Sequence, residues 1–135
     1  MLRLVADVNV EGHFEALVAV CQAERWRDIW LALDIEILDF GNLGLAPNTP
    51  DSAVWFAVQR AGAILVTANR NRRGPESLEG TMRRENKPDS LPIITISNPK
   101  RIKLDRDYCE RAVERLLLYL MEIEQHRGAG RLYIP

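Results

Sequence analysis

Asp7 closes a short apolar run, Leu2-Arg3-Leu4-Val5-Ala6, that reads as a buried strand. In open α/β sheets, ligands bind beyond the carboxyl ends of the strands, so an acid at that point is placed for chemistry. The segment Leu65-Val66-Thr67-Ala68-Asn69-Arg70-Asn71 repeats the layout: an apolar run delivers oxygen-bearing side chains where a strand should end. Asp51 stands at the start of a helix, behind Thr49 as a capping hydroxyl and Pro50 at the first helical position. If the fold brings Asp7 and Asp51 together, the pair suits a hard cation such as Mg²⁺. Such an ion keeps several waters and needs only one or two carboxylates. Bound there, it would lower the pKa of a water and neutralise charge on a phosphodiester oxygen. Equally, Asp51 can serve only the helix dipole, and Asp7 only accept backbone N–H groups at the next turn.

Asn9, Asn69 and Asn71 offer amide oxygens and donors near the same edge, to orient a water or a substrate, but add no negative charge. Arg70, Arg72 and Arg73 follow directly, and guanidinium groups there would grip a phosphate backbone with little sequence preference. A solvated loop tip is the plainer account of the same run. Glu11 and Glu15, one helical turn apart, and Glu76 and Glu79, after the Asn pair, are further acids within reach. His13 has no sequence neighbour that makes it an acid–base catalyst, and solvent exposure is expected for it. No nucleophile elbow, phosphate loop or dinucleotide glycine pattern is present.

The elements that must carry these residues alternate. After the first strand, Phe14, Leu17, Val18 and Cys21 recur at helical spacing. A second helical piece spans about 23–33, with Trp26 and Trp30 four apart. Residues 35–40 read as a strand and 41–47 as a loop. The Asp51 helix should run to about Arg60, with Val54, Trp55 and Val58 inward, and stop at Gly62. Residues 63–67 form a third strand, apolar enough to be buried on both faces. A short helix over 77–84 competes with a mobile loop. Residues 91–96 form a fourth strand, followed by a turn over 97–100. Asp105 then caps the longest helix, which ends near Gly128 and Gly130, and 132–134 make a terminal strand. This order predicts a three-layer α/β/α sandwich around a mostly parallel central sheet.

The 135 residues, 47% hydrophobic and 27% charged, predict one globular domain spanning the chain. A net charge of −1 gives no global pull toward nucleic acid or membrane. Between Arg70 and Arg106, however, ten Lys or Arg face five Asp or Glu, which allows a basic flank beside an acidic remainder, a solvated mixed-charge surface being the plainer reading. Cys21 and Cys109 fall on helical apolar stripes and imply neither a disulfide nor a metal site. No segment approaches the length of a membrane span, so cytoplasmic residence is the expectation. Trp26, Trp30 and Trp55 suit either the core or a homodimer face.

The order of these pieces resembles the PIN-like superfamily, and within it the small bacterial group related to VapC-type toxin ribonucleases. The likeness rests on Asp7-Val8-Asn9, on Gly44-Leu45 with Asp51, and on Leu65-Val66-Thr67-Ala68-Asn69-Arg70-Asn71, covering roughly the first 97 residues. It implies a Mg²⁺- or Mn²⁺-dependent endoribonuclease acting on RNA, within a toxin–antitoxin-like system that includes a protein partner. Asp7 and Asp51 carry over onto acidic positions that bind metal. Val8 stands where an acid is common, and Asn69 and Asn71 stand at catalytic positions where aspartates are expected. That pattern fits a weakened nuclease, one that recruits Glu76 or Glu79, or a noncatalytic module that binds RNA or a protein. A receiver-type phosphoacceptor domain shares the parallel sheet but needs paired acids after the first strand, and here Ala6 precedes a single Asp7.

Overall fold

In the computed structural model, which describes residues 1–135, five strands form one sheet in the order β2-β1-β3-β4-β5. The strands are β1 (Leu2–Ala6), β2 (Ile35–Leu38), β3 (Ile64–Thr67), β4 (Ile93–Ile96) and β5 (Arg131–Ile134). Every pairing is parallel, β5 included, so the sheet is wholly rather than mostly parallel. Parallel neighbours need crossover connections. These are supplied by α1 (Glu11–Cys21) and α2 (Arg27–Leu33), then α3 (Asp51–Arg60), α4 (Leu78–Glu85), and finally α5 (Pro99–Leu104) with α6 (Arg106–Met121).

The strands alternate their apolar side chains between two cores. Leu4, Ala6, Ile64, Val66, Ile94, Ile96 and Ile134 face α1 and α6, in a cluster of 22 buried residues. Val5, Leu65 and Ile93 face α3 and α4, in a cluster of 10. Burial on both faces makes the three-layer sandwich and explains why these strands read as continuous apolar runs. The larger cluster takes the broad face of α6, where Cys109, Ala112, Val113, Leu116, Leu117 and Leu120 are buried. Trp30 and Trp55 are core residues. Trp26 is half-buried and donates its indole N–H to Glu110 at 2.9 Å.

Several boundaries differ from expectation for local reasons. Residues 77–84 are helical, not a loop: Ser77 accepts the Gly80 N–H as the cap of α4, and Leu78, Thr81 and Met82 are buried. The 97–100 turn is the entrance to an unanticipated helix, α5, with Asn98 at the cap position, Pro99 opening it and Ile102 buried. In α3, Pro50 itself takes the cap position with extended ψ 149°, and Thr49 makes no capping bond. Its hydroxyl is spent on the Ala46 carbonyl at 2.6 Å, closing the preceding turn. Asp105 does cap α6, accepting the Tyr108 N–H at 3.1 Å. No helix is long and apolar enough to cross a membrane.

Candidate functional site

The strand order reverses at β1. From there the chain steps outward to β2, then crosses back to β3 on β1's other side. Such a switch point leaves a crevice beyond the carboxyl ends of the two inner strands. Asp7 leaves β1 into that crevice, its N–H donated to the Val66 carbonyl of β3 at 2.9 Å. Thr67 ends β3 fully buried. Its hydroxyl donates to Asp7 Oδ2 at 2.9 Å and accepts the Asn69 N–H at 2.9 Å. The Asn9 N–H reaches Asp7 Oδ1 at 3.3 Å, within a short 3-10 turn over Val8–Val10. A short polar chain therefore ties the ends of β1 and β3 together.

Asp51 reaches the same place from α3. Its Oδ2 accepts the Asn69 Nδ2 at 3.0 Å and the Leu78 N–H at 3.2 Å. The acid thus does more than serve its own helix dipole: it satisfies an open N–H of α4. Asn69 turns its other amide atom away, Oδ1 accepting the Asn71 N–H at 2.8 Å, and Asn71 Oδ1 in turn accepts the Arg73 N–H at 3.1 Å. These are successive Asx turns. Both amide oxygens are spent on the chain's own backbone, and Asn69 presents a donor to the Asp51 carboxylate.

Asp7, Asn9, Asp51 and Asn69 line one hole of about 80 Å³, closed by Phe40, Val54 and Leu65 among others. Val8 also lines it, half-buried against the smaller core. Asp7 is also a wall of a second depression, about 550 Å³, shared with Asn9, His13, Asn71 and Lys100. That volume is in the range of ligand clefts. The small hole is not. His13 is half-buried rather than exposed, and its Nδ1 is withdrawn from solvent without a hydrogen-bond partner.

The other candidate acids lie elsewhere. Glu11 and Glu15 open onto a groove between α1 and β2, beside Asp39. Glu76 accepts the Ser52 hydroxyl at 2.6 Å. Glu79 is paired with Arg131 at 3.2 Å and lies 3.9 Å from Arg83. Neither Glu76 nor Glu79 lines the Asp7 hole. No group of three or more His, Cys, Asp or Glu gathers anywhere in the chain.

Nothing matches. No protein-family model fits the chain, and no curated protein or solved structure is significantly similar to it.

Sequence reasoning missed Arg131. At the start of β5, with only 7% of its side chain exposed, it donates from Nη1 to the Asn69 carbonyl at 2.8 Å and to Thr95 Oγ1 at 2.6 Å. Its Nε donates to Glu79 at 3.2 Å. A guanidinium buried under the β3 exit holds Asn69 at its height and is itself neutralised by Glu79, as buried charge requires. The one available signal was an arginine opening an otherwise apolar terminal strand. Among the basic residues named from sequence, Arg70 donates to the Ser97 carbonyl at 2.6 Å and lies over the Tyr133 ring at 5.3 Å. Arg72 and Arg73 are exposed.

By type, the donors in the hole are hard oxygens. Asp7 accepts one protein hydrogen bond on each carboxylate oxygen, and Asp51 accepts both of its own on Oδ2. Asp51 Oδ1 keeps its lone pairs for another partner. Two carboxylates of this kind fit a largely hydrated Mg²⁺ or Mn²⁺ and do not fit an ion caged by protein ligands alone. A receiver-type phosphoacceptor is poorly served, since Thr67 and Asn69, not an acid, stand at the end of β3.

Proposed function

We propose that this chain is a PIN-like domain whose pocket at the β1/β3 switch point holds a divalent cation weakly and hydrolyses RNA phosphodiester bonds. The observation that carries the reading is that Asp7 and Asp51, 44 positions apart in sequence, line one hole together. Asp7 and Asp51 would hold Mg²⁺ or Mn²⁺ through carboxylate oxygens. Bound there, the ion supplies a water of lowered pKa and neutralises charge on the phosphodiester. Thr67 orients Asp7, and Asn69 orients Asp51; both act as positioning residues. The larger depression on Asp7's other side, with Lys100 at its rim, gives the substrate its place. Hydrolysis of single-stranded RNA with Mn²⁺ or Mg²⁺, compared between the native chain and Asp7→Asn, tests the reading. Cleavage lost in the variant supports it; cleavage absent in both, or equal in both, refutes it.

A second reading has its own observation. The Asn69 Nδ2 bond to Asp51 supplies from within the protein part of the neutralising contact that a cation would supply. A noncatalytic PIN-like module that binds RNA, or a protein partner of the antitoxin kind, needs only that much. RNA retention that is salt-sensitive yet indifferent to EDTA, without cleavage, favours this module over the enzyme.

A further inference from the structure

Beyond Pro99 and Lys100, which wall the Asp7 depression, lies another concavity, about 600 Å³, between the end of β4 and the outer face of α6. It is lined by Arg101, Tyr108, Arg111 and Arg115, with Glu114 the one acid among its lining side chains. Arg101 and Arg111 lie over the Tyr108 ring at 4.4 and 5.7 Å. Arg70 is bonded to the Ser97 carbonyl, at the edge of this concavity, and lies over Tyr133. Of these arginines only Arg101 has an ion-pair partner, Asp105. Arg111 and Arg115 are exposed and make no salt bridge.

Arg115 lies over the Tyr119 ring at 6.0 Å, and with no carboxylate paired to Arg111 or Arg115 both guanidinium groups are open to phosphate oxygens. Arg111 and Arg115 are four residues apart on α6, about 6 Å along its axis. They therefore present two cations in a row, not a single point. Ser97, which lines the groove, is bonded to Arg70, and Lys100, which lines the Asp7 depression, is next in sequence to Arg101 of the groove.

Resting on the RNA reading above, we infer that single-stranded RNA leaving the Asp7 pocket runs over Arg70 into the Arg111–Arg115 groove, bound there through its phosphates. The arginines of the groove, Arg101, Arg111 and Arg115, lie after the first 97 residues that the family likeness covers. Arginines contacting phosphate give affinity without sequence preference, and each contact with a single strand contributes about −0.7 to the slope of log K against log salt.

The test is a salt titration of binding to a labelled single-stranded oligouridylate, followed by anisotropy. It compares the native chain, Arg111→Gln/Arg115→Gln, and a control of equal charge change, Arg60→Gln/Lys87→Gln. The control residues lie by the opposite ends of the strands, in a separate concavity. The groove variant should bind more weakly and lose about 1.4 from the magnitude of the slope, while the control keeps the native slope. Circular dichroism checks that each variant is folded, as expected for exposed side chains. Native binding with the same slope in all three proteins overturns the groove and leaves the RNA reading standing. A slope equally reduced in the control reports net charge alone and also overturns it. No native binding overturns both.

Discussion

Asn69→Asp places a carboxylate where the Asn69 amide now donates to Asp51 at 3.0 Å. The substitution conserves shape and keeps an oxygen for the Asn71 N–H. Two costs follow. A hydrogen bond to a charged group, worth about 1.5–3 kcal/mol, is lost. Two unit charges about 4 Å apart then repel by roughly 4 kcal/mol at an effective dielectric of 20, which partial exposure of the site reduces to about 1 kcal/mol. The variant should therefore be about 3 kcal/mol less stable than the native chain near neutral pH, by urea denaturation in EDTA. Because the repulsion raises a carboxylate pKa in the folded state, stability is retained at low pH and lost as pH rises. The penalty should thus shrink toward about pH 4, where the pair shares a proton. Mn²⁺ should reverse it, by about 2.7 kcal/mol at a hundredfold excess over its dissociation constant, and should stabilise the native chain less at the same concentration. A variant within about 0.5 kcal/mol of native in EDTA would refute the reasoning, since that is the range of a neutral surface change.

Thr67→Val removes the hydroxyl that joins Asp7 to the Asn69 N–H at a fully buried position; it should cost about 2–4 kcal/mol in urea denaturation, far above a surface substitution. Cys21, whose thiol is pushed up to about 12 chiefly by burial, should resist thiol reagents at about pH 8 in the native state and react once urea exposes it. Asp105 is held below the usual carboxylate range, first by the hydrogen bond from Arg101 and then by the Tyr108 N–H. A depressed pKa contributes stability that is present above the unfolded value and lost as pH falls through the folded one. Protection factors of amides in the first turn of α6, taken relative to the intrinsic exchange rate at each pH, should therefore fall on acidification, and Asp105→Asn should remove most of that acid dependence.

The parallel sheet was legible because its strands are buried on both faces, so Leu4-Val5-Ala6, Ile64–Thr67 and Ile93–Ile96 carry no polar alternation to confuse them. The meeting of Asp7 with Thr67 and Asn69 was legible from the strand-end rule, since the switch point dictates where β1 and β3 open; Asp51, carried by a helix, could be paired with them only conditionally, because no strand end fixes where α3 begins. The amide orientation was not legible. It is set by the Asn71 and Arg73 N–H groups two residues on, a pattern that Asn69-x-Asn71-x-Arg73 spacing contains but that only makes sense once Asp51 is seen beside it. Arg131 was hidden because its partners, Asn69, Thr95 and Glu79, lie between 36 and 62 positions away. Helix α5 was hidden by its length: six residues with one buried side chain give no periodic stripe.

Anomalous scattering from crystals soaked in Mn²⁺ addresses the pairing of Asp7 with Asp51 most directly. The account predicts a peak in the hole at the β1/β3 switch point, coordinated by both carboxylates and otherwise by water, and absent in Asp7→Asn. A fully soaked crystal with no peak there, or with the ion held elsewhere and the two aspartates engaged only with Thr67, Asn69 and Leu78, would contradict it.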